Sequence, residues 1–195
     1  MKIICLIVSA LIVIFSNLAL AGTGGVLQKY SITSIHLVPM APIPLTQMYY
    51  QGSGSVLMGH MASETGTEIK ATAEKNDIHI DKIATEEVQQ ALESSRKVAI
   101  SADESSPYNL LLAIYQFGFS APNGFSSKLV PVLTLECQIK SADGKSLWKD
   151  RFMALPLGNP VPGIKRDDLV QDPQRIESAW RAAAKNLADK CVKAL

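Results

Sequence analysis

A chain of 195 residues, 47% of them hydrophobic, suits one domain with a core of its own. Its 19 basic and 18 acidic residues leave a net charge of +1 with no local basic patch. That balance gives no electrostatic footprint for nucleic acid or for anionic lipid.

The amino-terminal stretch has a distinct layout. Met1-Lys2 is a short positive start, Ile3 to Phe15 is almost unbroken apolar sequence, and Leu18-Ala19-Leu20-Ala21 puts small residues just before Gly22. This is the pattern of a secretory signal peptide. It predicts cleavage between Ala21 and Gly22, removal of residues 1–21, and a single α+β domain over 22–195. Lys2 is the only charge lost, which brings the 19 basic residues level with the 18 acidic ones. The apolar run is short for a spanning helix, which needs about 20 apolar residues. Cys5 stands too early to be the acylated cysteine of a lipoprotein, and no cysteine lies near Gly22. The expected product is a soluble exported protein, periplasmic or extracellular, with no stable membrane insertion after cleavage.

Along the remaining chain, Tyr30 to Val38 reads as a first strand stopped by Pro39. Pro39, Pro42 and Pro44 then impose an extended stretch that cannot be a central strand. Gln51 to Ser55 is a Gly/Ser break. Val56 to Lys75 carries Met58, Met61, Thr65 and Ile69 at helical spacing, although Gly59 and Gly66 each cost about 1 kcal/mol in a helix interior. Asp81 is the expected N-cap of a following helix whose face is Ile83, Val88 and Leu92. Val98 to Ile100 is a short strand.

Tyr108 to Phe119 is the strongest strand. Simple alternation puts Leu110, Leu112 and Ile114 on one face and Leu111, Ala113, Tyr115 and Phe117 on the other. Ser120 to Ser127 is a loop. Leu129 to Lys140 places Leu133, Leu135, Cys137 and Ile139 inside and Thr134, Glu136, Gln138 and Lys140 outside. Asp143-Gly144 marks a tight hairpin, and Ser146 to Ala154 returns with Trp148 and Phe152 on one face. Leu155 to Gly163 is too rich in Pro and Gly to be regular. Asp172-Pro173 opens an amphipathic C-terminal helix carrying Ile176, Trp180, Ala183, Leu187 and Cys191. The order predicts one mainly antiparallel sheet of about five strands packed by helices. Cys137 and Cys191 both lie on apolar faces that meet at the sheet–helix interface, so a disulfide between them is expected.

Chemistry is sparse. Gly52-Ser53-Gly54-Ser55 lacks the spacing of a nucleophile elbow and reads as a linker. The pairs Glu86-Glu87 and Asp167-Asp168 are sequence neighbours that do not form an acid/base couple. No zinc motif occurs. Met58, His60 and Met61, with Met40 and Met48 upstream, offer soft donors suited to Cu(I), against the plainer reading of core-filling methionines beside an exposed histidine. No other cofactor is indicated. The proline-rich segments Pro39–Pro44 and Leu155–Gly163, and the loop spanning Phe119 and Phe125, are candidate partner surfaces.

Leu110 to Lys149 supplies a resemblance. Leu-Leu-Leu-Ala-Ile-Tyr-Gln-Phe-Gly-Phe, Leu-Val-Pro-Val-Leu-Thr-Leu and Ala-Asp-Gly-Lys-Ser-Leu-Trp-Lys resemble small exported bacterial proteins of unknown function. The domain resembles that of penicillin-binding-protein activators, the periplasmic part of the curli-secretion channel, the amino-terminal domain of the Tol-Pal translocation protein, and transporter auxiliary lipoproteins. The resemblance implies a non-enzymatic cell-envelope module that binds another protein or assembly. It supplies no catalytic residue. A lipobox, present in the lipoprotein members, is missing. The sequence expectation is therefore a protein-binding envelope module, with a periplasmic copper binder using Met58, His60 and Met61 as the alternative and an enzyme third.

Amino-terminal sequencing of the exported product should begin at Gly22 or within a few residues of it; intact Met1 in a membrane fraction would contradict the cleavage reading.

Overall fold

The computed structural model describes residues 25–52, 64–123 and 125–195. The segment read as a signal peptide and the expected Ala21–Gly22 junction lie outside the described residues, as do Met58, His60 and Met61. The elements run α1 (Val26–Lys29), β1 (Ser34–Leu37), a 3-10 turn (Leu45–Gln47), β2 (Tyr49–Gln51), α2 (Glu64–Lys75), α3 (Ile80–Ser95) and β3 (Ala99–Ser101). They continue with β4 (Tyr108–Ser120), β5 (Lys128–Ser141), β6 (Ser146–Ala154), β7 (Ile164–Lys165), α4 (Arg166–Gln171) and α5 (Pro173–Ala194). The α+β class is as the sequence predicts.

The seven strands form a mixed sheet in the order β3-β1-β4-β5-β6, with β2 beside β4 and β7 beside β5. The meander β4-β5-β6 is antiparallel. β1 lies parallel to both β3 and β4, and β2 is parallel to β4. The expectation of a mainly antiparallel sheet of about five strands thus holds for the meander and misses the parallel part. β1, β2, β3 and β7 run four residues or fewer, too short for alternation to declare a partner's direction.

The C-terminal helix shows why its sequence folds as it does. The Asp172 carboxylate accepts from the Gln174 N–H at 3.0 Å, and Pro173 fills the first helical turn, where no N–H partner is needed. Ile176, Trp180, Ala183, Leu187 and Cys191 recur every three or four residues and are all fully buried. Trp180 stacks on Phe119 with ring centroids 5.8 Å apart and meets Phe117 edge-on at 5.6 Å. Its indole N–H donates to the Gly118 carbonyl at 3.4 Å. The Cys137–Cys191 disulfide ties β5 to α5 with Cα atoms 6.5 Å apart.

Phe117 and Phe119 face this helix because β4 is irregular. Ile114 pairs with Leu135 while Gln116 pairs with Thr134, so Tyr115 is an extra residue in the ladder. Such a bulge advances the alternation by one position. The expected grouping of Phe117 with Leu111, Ala113 and Tyr115 is therefore corrected. Leu110 and Leu112 before the bulge, and Phe117 and Phe119 after it, share the core side. Phe119 is strand rather than loop and is fully buried, whereas Phe125 is fully exposed.

Gly118 follows the bulge with φ +142, and a Cβ there would collide with the Tyr49 carbonyl. Only glycine lets β2 close on β4 at this point. Asp81 is not a cap. His79 precedes the first turn of α3, and Asp81 lies buried within that turn, where its carboxylate accepts from the Ile43 N–H at 3.3 Å. It anchors the proline segment to the helix instead of ending it.

Trp180→Ala removes a fully buried indole from between two rings. It should cost about 3–5 kcal/mol and lower the melting midpoint steeply in calorimetry. The Cys137→Ala/Cys191→Ala pair opens a loop of 54 residues and should cost up to about 4 kcal/mol in denaturant titration.

Candidate functional site

The meander hairpin places a polar cluster on the side of the sheet opposite α5. Glu136 on β5 pairs with Ala113 on β4 and Arg151 on β6, with Tyr115 bulged out next to Ala113. The Glu136 side chain is only 7% exposed. One carboxylate oxygen accepts from Lys149 Nζ at 2.9 Å and from the Tyr115 hydroxyl at 3.1 Å. The other accepts Arg151 Nη2 at 2.9 Å and Nε at 3.3 Å. The guanidinium also lies 3.9 Å from the Tyr115 ring centroid. Four donors thus converge on one carboxylate.

Burial pushes the Glu136 carboxyl upward, but the hydrogen bonds from Lys149, Arg151 and Tyr115 outweigh it, and the group sits below its ordinary 4.5. The same hydrogen bond to Glu136 raises the Arg151 guanidinium. Lys149 and Arg151 keep about half of their side-chain surface exposed, at 48% and 47%. They present positive charge to solvent while neutralising a buried anion.

The chain also exposes large apolar groups. Tyr115 is 55% exposed, Met153 51%, Leu155 48%, Leu157 85% and Phe125 101%. Met153, Leu155 and Leu157 occupy alternate positions as β6 runs into the proline-rich segment. That segment is held in place. Asn159 donates its side-chain N–H to the Pro131 carbonyl at 2.6 Å and accepts from the Val161 N–H at 2.9 Å. Just beyond it, β7 pairs with Lys128 and Leu129. Pro39, Pro42 and Pro44 are exposed too, while Met40 and Met48 pack against the core.

The other sequence candidates do not gather into a site. His36 faces the Ser101 carbonyl at 3.2 Å, and His79 pairs with Asp77 at 2.8 Å on the surface. Glu86 and Glu87 both reach Arg181 of α5, at 3.1 and 2.9 Å, and serve to join two helices. Among the described residues no group of three or more His, Cys, Asp or Glu side chains is placed to hold a metal ion. Likewise, no described helix is long and apolar enough to cross a membrane.

The residues that sequence reading missed are Tyr115, Glu136, Lys149 and Arg151. A signal existed. Counting outward from the Asp143-Gly144 turn sets Glu136 opposite Arg151 and Ile139 opposite Trp148, as observed.

The sequence matches no family model and no curated protein. Among solved structures it is similar to the crystal structure of protein XCC0632 from Xanthomonas campestris, of the family described as DUF330. The likeness has a TM-score of 0.42 at 17% identity and covers 57% of this chain. The chain spans 58% of that protein's length.

Glu136 contributes stability above pH 4.5 that is lost as pH falls through its lowered folded-state value. Glu136→Gln should therefore be less stable than the unaltered protein at pH 7. The gap should shrink as urea titrations are taken down to about pH 3, and a gap independent of pH would assign its cause to packing alone.

Proposed function

We propose that this protein is a non-enzymatic binding or assembly module of the cell envelope, acting through protein–protein contacts. The observation that carries the reading is the run Met153, Leu155 and Leu157, three large apolar side chains at alternate positions that the fold leaves exposed. Scattered exposed leucines need no explanation, but a contiguous exposed apolar surface is the mark of a partner site. The anchoring of the Leu155–Gly163 segment through Asn159 supports it, because a surface already ordered loses less entropy on docking. The disulfide fits an oxidising compartment, consistent with an exported protein.

Photo-crosslinking in the native host tests this. A benzophenone side chain at Leu157 or Phe125 should give a discrete protein adduct, and one at Lys185, exposed on α5, should not. Equal labelling at all three positions would remove the case for a docking surface.

A further inference from the structure

We infer that the outer edge of β6 takes an extended, acidic segment of another protein as an added strand, its carboxylates facing Lys149 and Arg151. The inference deepens the docking reading above and rests on it.

Three features lead there. First, β6 ends the main strand order, so among the described residues its ladder is made with β5 alone. An edge strand offers unpaired N–H and C=O groups to an incoming chain. Second, the side of the meander opposite α5 carries an uneven charge. Lys140, Lys149 and Arg151 face that side, and Glu136, buried beneath two of them, is the one carboxylate its strands contribute. Third, on that side the edge presents Lys149, Arg151 and Met153 at alternate positions, while Asp150, exposed between the two cations, is turned to the α5 side with its partner Cys137. A strand laid beside them meets two cations two residues apart and then a thioether. Carboxylates at i and i+2 followed by an apolar residue at i+4 complement that order.

A second copy of this chain fits poorly in the registers that pair the cationic middle of β6. Antiparallel pairing of two β6 strands, with both helical layers on one side, can be centred on Lys149, Asp150 or Arg151. Those registers set Lys149 against Lys149, Lys149 against Arg151, and Arg151 against Arg151. Like charges directly opposite destabilise a strand pair. The same charges that disfavour self-pairing favour an acidic partner, so they select against one occupant and for the other.

The test is fluorescence anisotropy with the full chain and labelled nine-residue peptides. One alternates Glu and Val, a second replaces each Glu by Lys, and two more carry N-methyl groups on one or the other edge of the Glu/Val peptide. The acidic peptide should bind and the basic one should not. Lys149→Glu should weaken binding by at least about fivefold. Lys149→Gln, which leaves Arg151 on Glu136, should weaken it by about twofold to fivefold. One N-methylated isomer should lose binding while the other keeps it, because an added strand uses a single edge. Equal binding of acidic and basic peptides, retention by both isomers, or insensitivity to both Lys149 variants would each overturn the inference. So would a β6-dependent dimer in sedimentation that the acidic peptide does not dissociate. If the peptides fail while the Leu157 crosslink persists, this inference falls and the docking reading stands; if both fail, both fall.

Discussion

The extra residue between Ile114 and Gln116 is the point on which both faces of the sheet depend. Without it, strict alternation would carry Phe117 and Phe119 to the side facing away from α5, and Trp180 would have nothing aromatic to meet. With it, both phenylalanines reach the helix, and the indole fills the gap between them. Tyr115, the extra residue itself, stays on the outer side that alternation already assigns it, where its hydroxyl completes the shell around Glu136 and its ring supports Arg151. One inserted residue thus links the packing of the core to the charge pattern of the opposite surface.

Among the described residues two buried carboxylates are held by arginine, and they do different things. Glu87 on α3 is 5% exposed and is held by Arg181 of α5, which also reaches Glu86 and Glu177. That network fixes the crossing of two helices whose apolar faces already meet. Glu136 lies on a sheet and is served by side chains from strands on both sides of it. Exposed ion pairs contribute only about 0.2–1 kcal/mol each. A buried carboxylate stripped of its partners is far more costly, so Arg151 and Lys149 are constrained by what lies under them.

Much of the fold is legible in the sequence where elements are long. The C-terminal helix, its Asp172-Pro173 start, its buried face and the disulfide all follow from spacing, and β6 begins and ends where the pattern says. Short elements are illegible for a physical reason. Val26–Lys29, Tyr49–Gln51 and Ile164–Lys165 hold two to four residues and are fixed by tertiary partners, not by periodicity. The bulge escapes alternation by its nature, since Leu110 to Phe119 is apolar on both parities. The polar cluster is only half visible. Glu136 reads as an outward residue, and nothing local shows that Tyr115 will cover it, although the turn position already pairs it with Arg151.

The placement of β1 has a consequence in time. Its neighbours come late: the His36 ring meets the Ser101 carbonyl 65 residues further on, and β4 follows after that. The meander, by contrast, is joined by short connections and can zip up by itself. A chain that emerges amino terminus first therefore shows Ile32, Ile35 and Leu37 to solvent before anything exists to cover them. Non-local pairing of this kind slows folding and leaves apolar strands open to wrong partners. The first strand to emerge is thus one whose strand partners, β3 and β4, are both made later.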